Sequence, residues 1–100
     1  MFDKKDLEAF VKTTKDRYDV QCLNCHDITI YSKASGHGWC IVSNYQDGSC
    51  YVLHRHHRRY PYHRQRDISG RWSFGSLEEA VISIQEHDDW WVNNHNNKKG

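Results

Sequence analysis

Two runs rich in β-branched and aromatic residues, at 39–45 and 49–54, constrain the fold of this chain more than any other feature. Asp47-Gly48 lies between them, and this pair is favoured in two-residue type I′ turns. The sequence therefore predicts an antiparallel hairpin. A two-residue turn fixes the register, which pairs Tyr45 with Cys50, Ser43 with Val52 and Ile41 with His54.

Alternation along this hairpin divides its side chains between the two faces of a sheet. One face would carry Trp39, Ile41, Cys50 and Val52, and the other would carry Val42, Tyr51 and Leu53. Both faces are partly apolar. The sequence therefore leaves open which face the rest of the chain covers.

Helical periodicity is found on both sides of the hairpin. Residues 4–18 place their apolar side chains on one helix face, and Asp3 can cap the start of this helix. Ser76-Leu77-Glu78-Glu79 has the S-x-x-E pattern of a capping box and opens a second helix. The predicted apolar positions are Leu7, Phe10, Val11, Thr14 and Tyr18 in the first helix, and Leu77, Ala80, Val81, Ile84 and Trp91 in the second.

The remaining segments complete an α+β fold. Residues 28–31 predict a strand, 56–70 an irregular segment and 71–74 a short edge strand. The resulting order is α-β-β-β-(β)-α, with two helices packed on one face of an antiparallel sheet. A length of 100 residues fits one domain, which we place at 1–92, with 93–100 as a disordered tail.

Hydropathy argues against a membrane protein. The chain has no apolar run of the roughly 18 residues that a membrane span needs. Its first residues also lack the apolar stretch of a secretory signal. We therefore expect a cytoplasmic protein, in which the four cysteines do not form disulfides.

Cys22-Leu23-Asn24-Cys25-His26 is the motif that most directly suggests a cofactor. It matches C-x-x-C-H, by which c-type haem is attached. Haem of this type is attached outside the cytosol and in mostly helical proteins, so we do not expect it here. Two cysteines at this spacing can also supply half of a zinc site.

Such a zinc site needs two further ligands. His54 and His56 project to the same side of a strand and could complete the set with Cys22 and Cys25. The alternative without a metal is that Cys40 and Cys50 are small core residues and that Cys22 and Cys25 flank a turn.

The formal net charge of +1 conceals two adjoining blocks of opposite charge. Residues 54–71 hold six arginines, one acid and four of the eight histidines, whereas 76–91 hold five acids and no base. Arginine suits phosphates, carboxylates and aromatic faces. The candidate binding residues are Arg55, His56, His57, Arg58, Arg59, Tyr60, Tyr62, His63, Arg64, Arg66, Arg71 and Trp72.

The basic block has three interpretations. It can bind a protein, because Arg, Tyr and Trp are enriched at interface hot spots. It can bind RNA or DNA, because arginines neutralise phosphates and rings stack on bases. It can also pair internally with the acidic helix. Our leading hypothesis is a non-enzymatic binding protein, such as a phage or mobile-element accessory protein that occludes a host protein through residues 54–72.

The histidines of this block carry an expectation of their own. His54, His56 and His57 lie among arginines, and we expect the positive charges to suppress their protonation.

The element order α-β-β-β-α resembles that of the double-stranded-RNA-binding fold. Ser35-Gly36-His37-Gly38 is similar to the Gly-Ser-His stretch that carries the catalytic histidine in small ribonuclease toxins of the HicA type. The resemblance implies RNA binding, with His37 as a general acid or base for weak nuclease activity. His56-His57 with Asn93, Asn94 and His95 is also similar to the pattern of the His-Asn-His nucleases.

Overall fold

Two helices and five antiparallel strands make up the fold, in the order α-β-β-β-β-β-α. The computed structural model describes residues 1–44, 49–66 and 69–96. The predicted α+β class is confirmed. The elements are α1 (Lys4–Thr14), β1 (Tyr18–Leu23), β2 (Asp27–Ser32), β3 (Gly38–Ser43), β4 (Cys50–Arg55), β5 (His63–Gln65) and α2 (Leu77–Asn96).

Helix α1 begins where the sequence predicts and ends earlier. The carboxylate of Asp3 accepts a hydrogen bond from the backbone N–H of Asp6, which closes a capping box. The helix stops at Thr14, and the prediction that it includes Tyr18 is wrong. Tyr18 instead begins β1, a strand that the sequence analysis missed, and its side chain is buried from there.

The five strands form a meander in which each strand pairs with its neighbours in sequence. The predicted β3–β4 register is wrong by two residues, because Ser43 rather than Tyr45 pairs with Cys50. Ile41 consequently pairs with Val52, and the predicted turn at Asp47-Gly48 lies outside the described residues. A shift of two residues leaves every side chain on its original face.

The helices cover one face of this sheet, which we call the inner face. Trp39, Ile41, Val52 and Cys50 point to it and are buried against the helices. The opposite side, the outer face, carries the half-buried side chains of Val42, Tyr51 and Leu53. The core residues contributed by the helices are Phe10, Leu77, Ala80, Val81 and Ile84.

The fourth predicted strand is placed wrongly. Residues 71–73 are not in a strand, and Phe74 forms only an isolated bridge with Cys50. The fifth strand is instead β5, which lies in the segment 56–70 that the sequence indicated to be irregular. Its side chains are largely exposed, because it pairs only with β4 at the edge of the sheet.

Helix α2 begins at the predicted position. The hydroxyl of Ser76 accepts a hydrogen bond from the N–H of Glu79, whose carboxylate in turn accepts one from the N–H of Gly75. The helix continues to Asn96, so residues 93–96 are helical rather than part of a tail. No helix within the described ranges combines the length and the apolar character that crossing a bilayer takes.

Candidate functional site

The outer face of the sheet presents arginines beside aromatic rings. Its register aligns Tyr31, Gly38 and Arg55 across β2, β3 and β4. A Cβ atom at Gly38 would lie 2.5 Å from a ring carbon of Tyr31, so glycine is needed for the ring to lie across the strand. The ring is thereby held flat against the sheet, where its other side can support a guanidinium.

Two arginines lie over this part of the sheet. The Cζ atom of Arg58 is 3.9 Å from the centroid of the Tyr31 ring, and that of Arg55 is 4.4 Å from the centroid of Tyr62. The guanidinium of Arg55 also donates a hydrogen bond to the hydroxyl of Tyr31. Cation–π contacts of this kind hold a planar guanidinium in a fixed orientation.

The two tyrosines differ in their acidity. Burial acts to raise the pKa of Tyr31, but the hydrogen bond from Arg55 and the other nearby donors and charges lower it below its ordinary value. Burial and the hydrogen bond with Tyr31 raise the pKa of Tyr62 to about 12.

A second pair of arginines extends this arrangement towards the edge of the sheet. Arg64 of β5 lies 4.6 Å from the ring centroid of Tyr51, and Arg66 lies 4.2 Å from that of Trp72. The Nε atom of Arg64 donates a hydrogen bond to the backbone oxygen of Trp72 at 3.3 Å. This bond links the contact of Arg64 with Tyr51 to that of Arg66 with Trp72. The arginine surface consists of Arg55, Arg58, Arg64 and Arg66 with the rings of Tyr31, Tyr51, Tyr62 and Trp72.

Three of the acids of α2 contact residues other than the arginines of this surface. The carboxylates of Asp88 and Asp89 pair with Arg17, which lies outside the basic block, and Glu79 accepts from Gly75. Arg71 is the exception among the predicted binding residues, because it lines a groove together with Glu79. The arginine surface therefore rests on aromatic rings rather than on the acidic helix.

The rest of the predicted binding residues lie in the loop between β4 and β5 or border the inner face. His57, Arg59 and Tyr60 are exposed in this loop, where the Nδ1 atom of His57 accepts a hydrogen bond from the N–H of Arg59. His56 and His63 approach a second cluster, on the other side of the sheet.

That second cluster, the histidine cluster, consists of five imidazole rings near one end of the inner face. The register aligns Trp39, His54 and His63 across β3, β4 and β5. Helix α2 adds His87 and Trp91, and their rings lie 4.6 Å from that of His54 and 4.4 Å from that of His37, respectively. The members of the histidine cluster are His37, His54, His56, His63 and His87.

Two short contacts connect the rings of the cluster. Nδ1 of His37 lies 2.9 Å from Nε2 of His54, and Nδ1 of His54 lies 3.4 Å from Nε2 of His63. His37 and His54 are almost fully buried. The Nδ1 atom of His87 is also buried, and it has no hydrogen-bond partner among the described residues. Leaving such an atom unpaired costs about 1–3 kcal/mol.

A network of hydroxyls and one buried carboxylate places His37. Asp88 accepts hydrogen bonds from the hydroxyls of Ser32 and Ser35, at 2.7 and 2.6 Å. The hydroxyl of Ser35 in turn accepts a hydrogen bond from the N–H of His37. The loop before β3 is thereby attached to α2 next to His87.

The surroundings of His54 keep its ring neutral. Burial lowers the pKa of His54 to about 3, with further contributions from His87, His37, His56 and His63. The direction agrees with the expectation from the sequence. The cause differs from the expected one, because burial and the other histidines, rather than the arginines, lower the pKa of His54. Burial likewise lowers the pKa of His87.

Acid is therefore expected to destabilise the protein when a chelator keeps it free of metal. An unfolded histidine takes up a proton near pH 6.5, whereas folded His54 stays neutral until about pH 3. The contribution of neutral His54 to the free energy of unfolding is therefore complete above pH 6.5 and decreases as the pH falls. The loss between pH 7.5 and pH 5 is about 2 kcal/mol for this one group. Urea unfolding at the two pH values measures the difference.

His54→Gln should lose most of this pH dependence, and His26→Asn, which removes an exposed histidine outside the cluster, should keep it. Equal stability of the wild-type protein at pH 7.5 and 5 would contradict the prediction.

The structure does not bring the four residues of the predicted zinc site together. Cys22 aligns with Thr29 and Cys40 in a row on the outer face, whereas His54 points to the inner face. Cys25 lies in the turn between β1 and β2. The groups of three or more possible ligands within the described residues consist of histidines alone.

The cysteines are free thiols in different environments. Cys50 is in the core, as the interpretation without a metal expects, and burial raises its pKa to about 12. Cys40 is half-buried on the outer face. A hydrogen bond with Asp27 raises the pKa of Cys22, which belongs to the motif of haem attachment.

His87, Tyr31 and Tyr51 were not among the site residues predicted from the sequence, whereas Tyr62 was. His87 follows Ile84 by three residues and precedes Trp91 by four, which is the spacing of one helix face. This signal could have assigned it to the cluster. Asn94, which belongs to the pattern similar to the His-Asn-His nucleases, lies in α2. Its side-chain amide donates a hydrogen bond to the backbone oxygen of Trp90, one turn earlier in the helix.

Comparisons with family models, with curated proteins and with solved structures give no match to this chain. Its function is therefore inferred from the geometry of the arginine surface.

Proposed function

We propose that this chain is a non-enzymatic protein that binds single-stranded nucleic acid through the outer face of its sheet. The observation that supports this most is that four guanidinium groups lie on aromatic rings across one face that neither helix covers. The distances from Cζ to the nearest ring centroid are 3.9 Å for Arg58, 4.2 Å for Arg66, 4.4 Å for Arg55 and 4.6 Å for Arg64.

Stacked guanidinium groups are well suited to phosphates. The ring occupies one side of the guanidinium plane, and N–H donors at the edge stay available for bidentate contacts. The fixed orientation also reduces the side-chain entropy that is lost when a ligand binds. Four such groups on one face can contact successive phosphates of a flexible strand.

Exposed rings next to the arginines favour a single strand over a duplex. Tyr60 is 59% exposed and Trp72 is 42% exposed. Such rings can stack on bases, whose faces are accessible only where the bases are unpaired. Both residues belong to the basic block, so base stacking and phosphate contacts would involve the same strand.

The same observations make a protein partner the weaker hypothesis. Arginine and aromatic residues are enriched at the hot spots of protein interfaces as well, but those side chains enter well-packed, desolvated pockets of the partner. Here the rings of Tyr31, Tyr51 and Tyr62 each carry a guanidinium group, so the surface presents charge rather than apolar anchors.

Fluorescence anisotropy with labelled oligo(U) and oligo(dT) of 20 nucleotides tests the proposal, with EDTA present throughout. If four arginines each contact one phosphate, log K should fall with log salt at a slope of about −3. Binding should then weaken about 50-fold between 50 and 200 mM NaCl.

Variants of the surface give the sharper comparison. Arg58→Gln combined with Arg64→Gln should reduce the salt slope to about half, because two phosphate contacts are lost. The matched control is Lys5→Gln with Lys12→Gln, which removes the same charge from exposed positions on α1. Trp72→Ala should weaken binding by about 5- to 150-fold through lost base stacking, and it also removes the ring on which Arg66 lies. Its control is Trp90→Ala, an exposed residue of α2.

Two results would overturn the proposal. One is the absence of binding to either oligonucleotide at 50 mM salt. The other is an equal loss of affinity in the lysine control and in the arginine variant, because the effect would then reflect net charge alone. Capture of an acidic protein without nucleic-acid binding would support the protein-partner hypothesis in its place.

A further inference from the structure

The histidine cluster has a geometry that the proposed function does not use. In the trio of His37, His54 and His87, one ring nitrogen of each lies within 4.8 Å of the others. Each ring comes from a different element: the loop before β3, strand β4 and helix α2. Convergence of three imidazoles from separate parts of the chain is what a metal site requires.

The spacing fits a tetrahedral ion. An ion bound at 2.0–2.1 Å from each ligand nitrogen holds those nitrogens about 3.3–3.5 Å apart. Nδ1 of His37 and Nε2 of His54 are 2.9 Å apart, so they would separate by about 0.5 Å to hold the ion between them. The remaining adjustment is within the reach of side-chain rotation for His87, which is only partly buried.

A hydrogen bond between two neutral imidazoles explains only part of this arrangement. It accounts for the short contact between His37 and His54, but not for the buried Nδ1 atom of His87 that has no partner in the described chain. An ion between the three rings would accept electron pairs from all of them. Neutral imidazole is the form that binds a metal.

The neighbours of the trio resemble the supporting shell of a metal site. Nε2 of His63 lies 3.4 Å from Nδ1 of His54, and a proton on this Nδ1, donated to His63, would leave Nε2 of His54 as the ligand atom. Trp39 and Trp91 flank the rings and limit the access of water. The exposed ring of His56 lies 4.7 Å from that of His37, so the fourth position would face the solvent side of the cluster.

We propose that His37, His54 and His87 bind a divalent ion of the zinc class, with an exchangeable fourth ligand. Imidazole ligands suit zinc and its neighbours in the first transition series. This zinc site differs from the cysteine-containing one that the sequence suggests. It also stands independently of nucleic-acid binding, which is measured with EDTA present.

Titration of the EDTA-treated and dialysed protein with Zn²⁺ and with Co²⁺ tests the site. Calorimetry should give one ion per chain, and Co²⁺ should show the intense visible bands of a tetrahedral site. His87→Asn should weaken zinc binding by more than about 100-fold, beyond the usual effect of losing a supporting partner. His26→Asn, the control, should bind zinc like the wild type.

Two further measurements distinguish this site from the alternatives. Circular dichroism of each metal-free variant shows whether it folds, so a loss of binding with an intact fold supports the proposal. His63→Gln should reduce zinc affinity far less than His87→Asn, because His63 only orients a ligand. Binding that depends on His63 but not on His87 would place the ion in the trio of His54, His56 and His63, of which the last two are exposed, and would overturn the proposal. Absence of Zn²⁺ binding to the wild type would overturn it as well.

Discussion

Replacing Trp39 with alanine is expected to lower the free energy of unfolding by about 3–5 kcal/mol. The side chain is fully buried, and its ring lies edge-on to Tyr18 at 6.1 Å and close to His54 at 5.1 Å between centroids. Its Nε1 atom also donates a hydrogen bond to the side chain of Gln65. The substitution therefore leaves a cavity between the sheet and α2 and removes a contact that holds β5 to the sheet.

The control for this prediction is Trp90→Ala, which removes the same side chain from an exposed position on α2. A loss of less than about 1 kcal/mol is expected there, as for most exposed positions. Urea unfolding followed by circular dichroism measures both variants. Similar losses in the two would contradict the assignment of Trp39 to the core, since burial is the main difference between the positions.

The β3–β4 hairpin shows which part of a fold alternation can predict. The division of its side chains between two faces is correct, because it depends only on alternation along each strand. The register is wrong, because it depended on the length of a turn that the sequence does not fix. The observed register, which differs from the predicted one by two residues, pairs Trp39 rather than Ile41 with His54, and this pairing determines where the histidine cluster forms.

Strand β1 shows the opposite limit. Tyr18 lies eleven residues after Leu7, so its position is consistent with the helix face as well as with a new strand. Asp19 and Gln21 are polar, and a strand at the edge of the sheet has no apolar run to distinguish it. Only the packing of Tyr18 against Trp39 resolves the two alternatives.

The candidate sites were partly predictable for similar reasons. The basic block was evident from composition. The rings of His54 and His56 lie 5.0 Å apart, but His56 follows the end of β4, so the two histidines do not share one side of a strand. Neither the stacking of Arg58 on Tyr31 nor the approach of His87 to His54 could be derived, because each joins segments more than 25 residues apart. Such contacts follow from the register and from the docking of α2.

Replacing Asp88 with alanine is expected to cost about 3–5 kcal/mol, which is typical when one partner of a buried charged network is removed. Asp88 is one of the five acids in residues 76–91, but its side chain is fully buried. It accepts hydrogen bonds from Ser32 and Ser35 and lies 3.5 Å from a guanidinium nitrogen of Arg17. Without the carboxylate, two hydroxyls lose their acceptor and one cation loses a buried partner.

The neighbouring residue provides the matched control for this substitution. Asp89 also pairs with Arg17, but its side chain is 60% exposed, so Asp89→Ala should cost less than about 1 kcal/mol. Urea unfolding at pH 7.5 measures both variants. Asp88→Ala should in addition weaken zinc binding, because Ser35 would no longer be fixed to α2 and His37 would lose its position. Equal stability of the two variants would contradict the network, since it would mean that burial of Asp88 and its two serine contacts contribute nothing.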